Sequence, residues 1–334
     1  PKLDLIAVPD FAAGAMENWG AITFRETILL YDPKTSSTKT KQYIAEVISH
    51  ELAHQWFGNK ITCGSWQDIW LNEGFATYLS GLVIEHLDGE SSFKSWKQQK
   101  VNSITSQTYG SVYVPAEDTL TVNRVFSGRL SYNKGSMVLH MLRQKIGEDL
   151  FYESLQNYLS NPEFSYGYAN SSDFISSVEQ TTQMELSEFF DDWLFNQGYP
   201  SYIAEWGQPS SELQIILNQE SSHESVDFFE GLITIRVFGD SGEELDLILD
   251  HNYNNQIFIY EMDFNVSSIE VNPEFDVISK NNQVLLSSQV PEINDKLVIY
   301  PNPTHSNIEI KKPYFLEINN IELYNINGQL ISTY

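Results

Sequence analysis

The chain has 334 residues, 19 basic and 45 acidic side chains for a net charge of −26, and a single cysteine. That length holds two or three domains with a sizeable core, and the charge excludes nucleic acid and anionic membranes as partners. Cys63 alone excludes an internal disulfide framework. No apolar run reaches the roughly twenty residues of a transmembrane segment.

Residues 1 to about 40 carry strand-like runs, Ala21-Ile22-Thr23-Phe24 and Thr27-Ile28-Leu29-Leu30-Tyr31. From Lys41 to about Gln197 the pattern is mostly helical. The first helix runs from Lys41 with Gly58 as its stop signal, and a second long one covers 66–87. Further helices are expected at 135–145, stopped by Gly147, at 150–159, stopped before Pro162, and at 172–179 and 186–195. Gly198-Tyr199-Pro200 ends the helical region. Strands then follow at 213–217, 232–237, 245–249, 256–260 and 268–271, separated by turn clusters such as Gly239-Asp240-Ser241-Gly242. They predict a small β-sandwich over 201–281, without a metal or acid–base cluster. Residues 282–296, with Ser287-Ser288 and Pro291, look like a linker.

The chemistry concentrates at His50-Glu51-Leu52-Ala53-His54. Residues four apart stack on one helix face, so both imidazoles can reach one metal ion, with Glu51 beside them where an activated water would sit. Taken alone, the same residues fit two ordinary helix histidines and a solvated glutamate. A zinc site needs a third protein ligand. Glu73, nineteen positions after His54 within Trp70-Leu71-Asn72-Glu73-Gly74-Phe75-Ala76, can return on the second helix to supply it.

These residues resemble the gluzincin aminopeptidases of family M1. The resemblance rests on His50-Glu51-Leu52-Ala53-His54-Gln55-Trp56-Phe57-Gly58-Asn59 and on the Glu73 segment. Two further pieces agree, Gly14-Ala15-Met16-Glu17-Asn18-Trp19-Gly20 and Ser131-Tyr132-Asn133-Lys134-Gly135-Ser136, all in the family's order over roughly residues 1–200. It implies an α+β fold: a thermolysin-like, mostly helical zinc catalytic domain at 1–200, followed by the β-sandwich. One Zn²⁺ would be held by His50, His54 and Glu73, with Glu51 as general base and Tyr132 as donor to the oxyanion. Gly14, Ala15, Met16, Glu17 and Asn18 would bind the substrate. Glu17 would anchor its α-ammonium, and Gly14-Ala15 would allow close backbone approach. Peptides with a free N-terminus are the implied substrates. The resemblance also implies a preceding β-domain with a further Glu or Gln at the amine site. The chain starts thirteen residues before Gly14 without an initiator Met, so it is expected to be part of a longer protein.

At the other end, Leu297-Val298-Ile299-Tyr300-Pro301-Asn302-Pro303-Thr304, Ile308-Glu309-Ile310 and Asn327-Gly328-Gln329-Leu330 resemble the sorting domain of the type IX secretion system, covering 297–334 and cut short. That implies the type IX secretion machinery as a partner and a secreted or cell-surface protein of a Bacteroidota-type bacterium. A noncatalytic, secreted peptide-binding protein that kept a peptidase fold is the alternative. The intact Glu51, Tyr132 and ligand set argue against it.

Overall fold

In a computed structural model, residues 2–287 are described, together with 298–300, 309–311, 320–324 and 330–333. The first strands form a small sheet of β1 (Asp4–Val8), β2 (Ala15–Met16) and β3 (Ala21–Arg25). β3 lies in the centre, parallel to β1 and antiparallel to β2. Alternation in β3 turns Ile22 and Phe24 inward, both fully buried. The strand expected at 27–31 does not form. Glu26–Leu29 is a 3₁₀ turn with no buried residue, because the chain is tied back where β3 ends. There the Arg25 guanidinium donates to the carbonyls of Phe11 and Ala12 at 2.6 and 2.7 Å.

The helical region contains α1 (Thr38–Ala53), α2 (Trp70–Asp88), α3 (Glu90–Ile104), α4 (Val122–Val125), α5 (Gly135–Ile146), α6 (Glu148–Ser160), α7 (Ser171–Thr182) and α8 (Ser187–Phe190). Two π-helical turns are fused to them, Gly128–Lys134 leading into α5 and Asp191–Phe195 following α8. Ser37 caps α1 by accepting from the Thr40 amide. The helix ends at Ala53 rather than near Gly58, since the His54 ring turns to the Phe57 carbonyl and closes a tight turn. α2 starts at Trp70, behind a 3₁₀ turn at Trp66–Asp68. α3 was not foreseen. Its sequence is polar, and only Phe93, Trp96, Val101 and Ile104 mark the face it buries.

α2 runs through the middle of the core. Trp70, Phe75 and Tyr78 are fully buried on it, packed with Phe151, Phe174 and Phe190. Each such side chain contributes roughly 1.5–3 kcal/mol by burial. α2 and α5 meet at two glycines: a Cβ on Gly74 would lie 3.1 Å from the Gly135 backbone. Only glycine allows that approach. It brings the turn carrying Tyr132 against the helix carrying Glu73.

Short strands β4 (Ile61–Cys63) and β5 (Gly167–Ala169) pair in parallel beside α2. After them the chain builds two sheets. One has the order β10 (Gln256–Glu261), β7 (Glu212–Ser221), β6 (Pro200–Gly207), β12 (Gln283–Leu286). The other is β11 (Val266–Val271), β8 (Gly231–Gly239), β9 (Glu244–His251). Alternate residues of both, including Trp206, Ile215, Ile235 and Leu249, close over one core. In these two sheets, two strands differ from expectation. β6 was not foreseen, and Gln283–Leu286, inside the expected linker, pairs in parallel with β6. Further on, β13 (Val298–Tyr300) pairs with β14 (Glu309–Lys311), and β15 (Glu322–Tyr324) with β16 (Leu330–Thr333). The remainder of the expected linker, 288–296, and the motif pieces Pro301-Asn302-Pro303-Thr304 and Asn327-Gly328-Gln329 lie outside the described residues.

Candidate active site

α1 and α2 pack so that three ligand atoms face one point. His54 Nε2 lies 3.1 Å from His50 Nε2, and Glu73 Oε2 lies 3.2 and 3.3 Å from the two nitrogens. His54 Nδ1–H donates to the Phe57 carbonyl at 2.9 Å, which turns Nε2 toward the other two ligand atoms. Gly58 makes that turn possible. Its φ is +136°, and a Cβ there would stand 3.2 Å from the His54 ring. Phe57 is held in place by stacking on Phe75.

Two imidazole lone pairs and a carboxylate in one buried triangle fit a cation. Zinc bonds of about 2.0–2.1 Å place tetrahedral ligand atoms about 3.3 Å apart, close to the three separations seen. The residues present therefore fit Zn²⁺. Without a cation, burial lowers the His50 pKa. At His54 burial works in the same direction, but the Glu73 carboxylate outweighs it and pushes the imidazole up to about 9. Burial opposes ionisation of Glu73 too, yet its hydrogen bonds to both imidazoles draw it down to about 2.

The triangle opens into a cleft of about 1150 Å³, also lined by Ala15, Met16, Glu17, Glu51 and Tyr132. Glu51 is 8% exposed, and burial, reinforced by the Glu17 and Glu73 charges, raises its carboxyl to about 7. One oxygen each of Glu17 and Glu51 lies within 4.8 Å of the other and of a His54 ring nitrogen. Tyr132 is half-buried and stacks on the His50 ring, centroids 5.9 Å apart and planes 9° from parallel. Burial and the neighbouring Glu73, Glu51 and Glu17 carboxylates push its phenol far up, so it remains a donor.

Eight of the ten expected site residues thus line one cleft. Gly14 and Asn18 do not. Gly14, with φ +91°, turns the chain and gives its carbonyl to the Arg25 amide, while the Asn18 amide reaches Thr23 Oγ1 at 3.1 Å. Other site neighbours were missed as such. Gln55 and Asn59 both donate to the Glu17 carbonyl, Asn72 accepts from the Cys63 amide, and Lys134 is buried at 1% exposure against the Asn196 carbonyl. Burial drives the Lys134 amine down to about 7. Gln55, Asn59 and Lys134 all stand inside the motif runs. Lys134 stands out as a charged residue leading into a buried helix, whereas Gln55 and Asn59 carry no such signal, because polar residues are ordinary at a helix end.

A helix pair that brings two imidazoles and one carboxylate to a single point offers the ligand set of a one-metal site. This chain belongs to peptidase family M1: residues 1–193 match the Peptidase family M1 domain. Residues 298–334 match a Secretion system C-terminal sorting domain. The chain is 38% identical over 230 residues to a glutamyl aminopeptidase of Mus musculus, covering 66% of this chain and 24% of that one. It is 41% identical over 210 residues to a leucyl aminopeptidase of Saccharolobus solfataricus, 60% and 26% of the two chains. With endoplasmic reticulum aminopeptidase 2 of Homo sapiens the identity is 45% over 184 residues, 54% and 19%. The chain thus spans about a quarter or less of the length of the curated relatives it matches. No helix among the described residues is long and apolar enough to cross a membrane.

Proposed function

We propose that this chain is the catalytic part of a secreted, zinc-dependent aminopeptidase that hydrolyses the N-terminal bond of peptides. One observation carries the reading: the His50, His54 and Glu73 ligand atoms converge at 3.1–3.3 Å in the cleft that also holds Glu17 and Glu51. The M1 match and the aminopeptidase relatives support the same activity. The strand-then-helix order around the ligands supports a thermolysin-like catalytic domain within residues 1–200, with 201–281 as a separate β-domain.

When bound, zinc supplies a Lewis acid and a water acidic enough to ionise near neutrality. Glu17 pairs with the substrate α-ammonium, an ion with a pKa of about 7.7–8.0, and so selects free amino termini. Glu51 takes the proton of the attacking water and returns it to the departing amine nitrogen. Its buried setting suits that role, since a carboxyl near neutrality both accepts and donates. Tyr132 donates its O–H to the oxyanion that develops on the scissile carbonyl. The cleft walls hold the peptide and limit bulk water. The sorting-domain match supports export by the type IX machinery of a Bacteroidota-type bacterium, to the medium or the cell surface.

The test is a panel of free aminoacyl anilides against their N-acetylated partners, on zinc-loaded full-length protein. Cleavage of the free substrates alone, lost on chelation and restored by zinc, is expected. Cleavage of blocked peptides would overturn the Glu17 role. No cleavage with zinc bound would leave a noncatalytic peptide binder.

A further inference from the structure

We infer that Gln55 and Asn59 are positioning residues that set the distance between the amine anchor and the metal triad. The inference rests on Glu17 being that anchor. The Glu17 carbonyl oxygen accepts two side-chain hydrogen bonds, from Asn59 Nδ2 at 2.8 Å and Gln55 Nε2 at 3.1 Å. Both lone pairs of that oxygen are therefore used. The donors stand one and five residues after His54. The turn between them is rigid: the Asn59 amide donates to the His54 carbonyl at 2.8 Å, and the His54 ring donates to Phe57. From the anchor's backbone to a metal ligand, the connection is two side chains and one closed turn.

The anchor segment's other bonds run within its own small sheet and not to α1: β2 is two residues long and pairs with β3, the Arg25 amide takes the Gly14 carbonyl, and Asn18 reaches Thr23 Oγ1. Left to that sheet, the Glu17 carboxylate would wander relative to α1. The clamp from Gln55 and Asn59 holds one of its oxygens within 4.8 Å of a ring nitrogen of His54 and an oxygen of Glu51.

That spacing measures the substrate. In an α-amino acid the amine nitrogen lies about 2.5 Å from its own carbonyl carbon, and one further methylene lengthens the gap by about 1.3 Å. A rigid anchor distinguishes the two, and a loose anchor does not. A 1 Å misplacement remote from the reacting atoms is enough to change rates strongly.

The experiment compares alanyl and β-alanyl anilides on zinc-loaded full-length protein, for wild type, Gln55→Met, Asn59→Leu and the double variant. Each substitution keeps the side-chain size and removes the donor. Binding of alaninamide and β-alaninamide is measured alongside by calorimetry in a Glu51→Gln background, a readout independent of turnover. The double variant should lower the alanyl over β-alanyl ratio of kcat/KM about tenfold, mainly through KM, with zinc content and melting temperature kept. The binding ratio should fall in parallel. Loss of both substrates in equal proportion would mean a merely structural role and overturn the inference, as would unmoved ratios. If the double variant does not fold, the single variants decide by the same ratios. A wild type that cleaves N-acetylalanyl anilide as well as the free substrate defeats the anchor reading itself, and the inference with it. An intact free-amine preference with unmoved ratios sinks the clamp alone.

Discussion

His54 at the end of α1 and His251 at the end of β9 are almost equally deep, at 1% and 0% exposure. Their surroundings differ. His251 Nε2–H donates to the Leu217 carbonyl at 3.1 Å, and Nδ1 accepts from the Gln219 amide at 3.3 Å. Gln219 cannot turn round, because it accepts from the Phe229 amide and donates to the Phe229 carbonyl. Both ring nitrogens are satisfied, and no carboxylate is among these partners. At His54 only Nδ1 is satisfied in that way. Nε2 faces a second imidazole and a carboxylate across a cleft. Burial alone thus does not make a histidine functional. What sets His54 of the helical region apart is a ring nitrogen that has no local backbone or amide partner and is turned toward two other ligand atoms, an arrangement that His251 in the sheets lacks at the same depth.

The widest separation between the regions is expected in catalysis. Glu51→Gln should keep zinc, measured as metal per chain, and lower kcat by a factor on the order of 10²–10⁴. Glu73→Ala should lose both metal and activity. Neither should alter hydrogen exchange in β6–β9. Zinc lost from Glu51→Gln would make Glu51 a ligand rather than the base.

Next in size is the seam where the regions meet. The loop after β11 crosses to the helices, and its Asp276 accepts from Lys97 Nζ on α3 and, at 2.9 Å, from His140 Nε2 on α5. Burial opposes the Asp276 charge, but His140 and Lys97 hold its carboxyl far below the usual range. Lys97 is 6% exposed, so Asp276→Ala would strand a buried ammonium. About 3–5 kcal/mol of stability should be lost, read from denaturant midpoints. If the sheets and helices then unfold in two steps, this seam is what joins them.

Acid should separate the regions in another way. Burial lowers the His251 pKa from 6.5 to about 4. Above pH 6.5 both folded and unfolded forms are neutral, and this residue adds no pH dependence. Between 6.5 and 4 the unfolded chain binds the proton first, so stability falls as pH falls, by on the order of 3 kcal/mol at 1.36 kcal/mol per pH unit. Below about 4 the contribution levels off. His251→Gln should flatten this slope in exchange-monitored unfolding of β7 and β9, and an unchanged slope would place the proton elsewhere.

The sequence was legible where chemistry needs fixed residue types at fixed spacing. His50 and His54 share a face because a helix carries i and i+4 together whatever the rest of the fold does, while Glu73 joins them through the packing of α2 on α1. It was less legible where an element depends on distant partners. Residues 27–31 carry β-formers, but the chain is tied back through Arg25 where β3 ends and turns there as a 3₁₀ segment. β12 lies in a stretch that reads as linker from Ser287-Ser288 and Pro291, and among the described residues its pairing comes from β6. The close crossing of Gly74 and Gly135, sixty-one residues apart in the chain, is written in two glycines whose meaning appears only when α2 and α5 touch. Gln55 and Asn59 were in view in the motif, but nothing in a linear chain says that both reach the carbonyl of Glu17.

The smallest expected effect lies on the sheet surface, and its salt dependence separates it from the seam. Arg236 on β8 stands directly across from Asp246 on β9 and makes a two-point contact with it, at 2.7 and 2.8 Å. Its Nη1 also reaches Glu274 at 3.0 Å, and Glu274 accepts from Lys94 of α3 at 3.1 Å. This chain of charges runs parallel to the buried Lys97–Asp276–His140 set but in water, with Asp246 42% and Glu274 32% exposed at the side chain. Exposed pairs are worth about 0–1 kcal/mol and are screened by salt, although the two-point geometry puts this one near the upper end. Arg236→Ala should therefore cost about 1 kcal/mol at low ionic strength and much less in 1 M salt, where the screening length drops to about 3 Å. The loss in Asp276→Ala should hardly respond to salt, because its partners are out of reach of the ions. Equal salt sensitivity in the two variants would mean that the seam is wetter than its burial indicates.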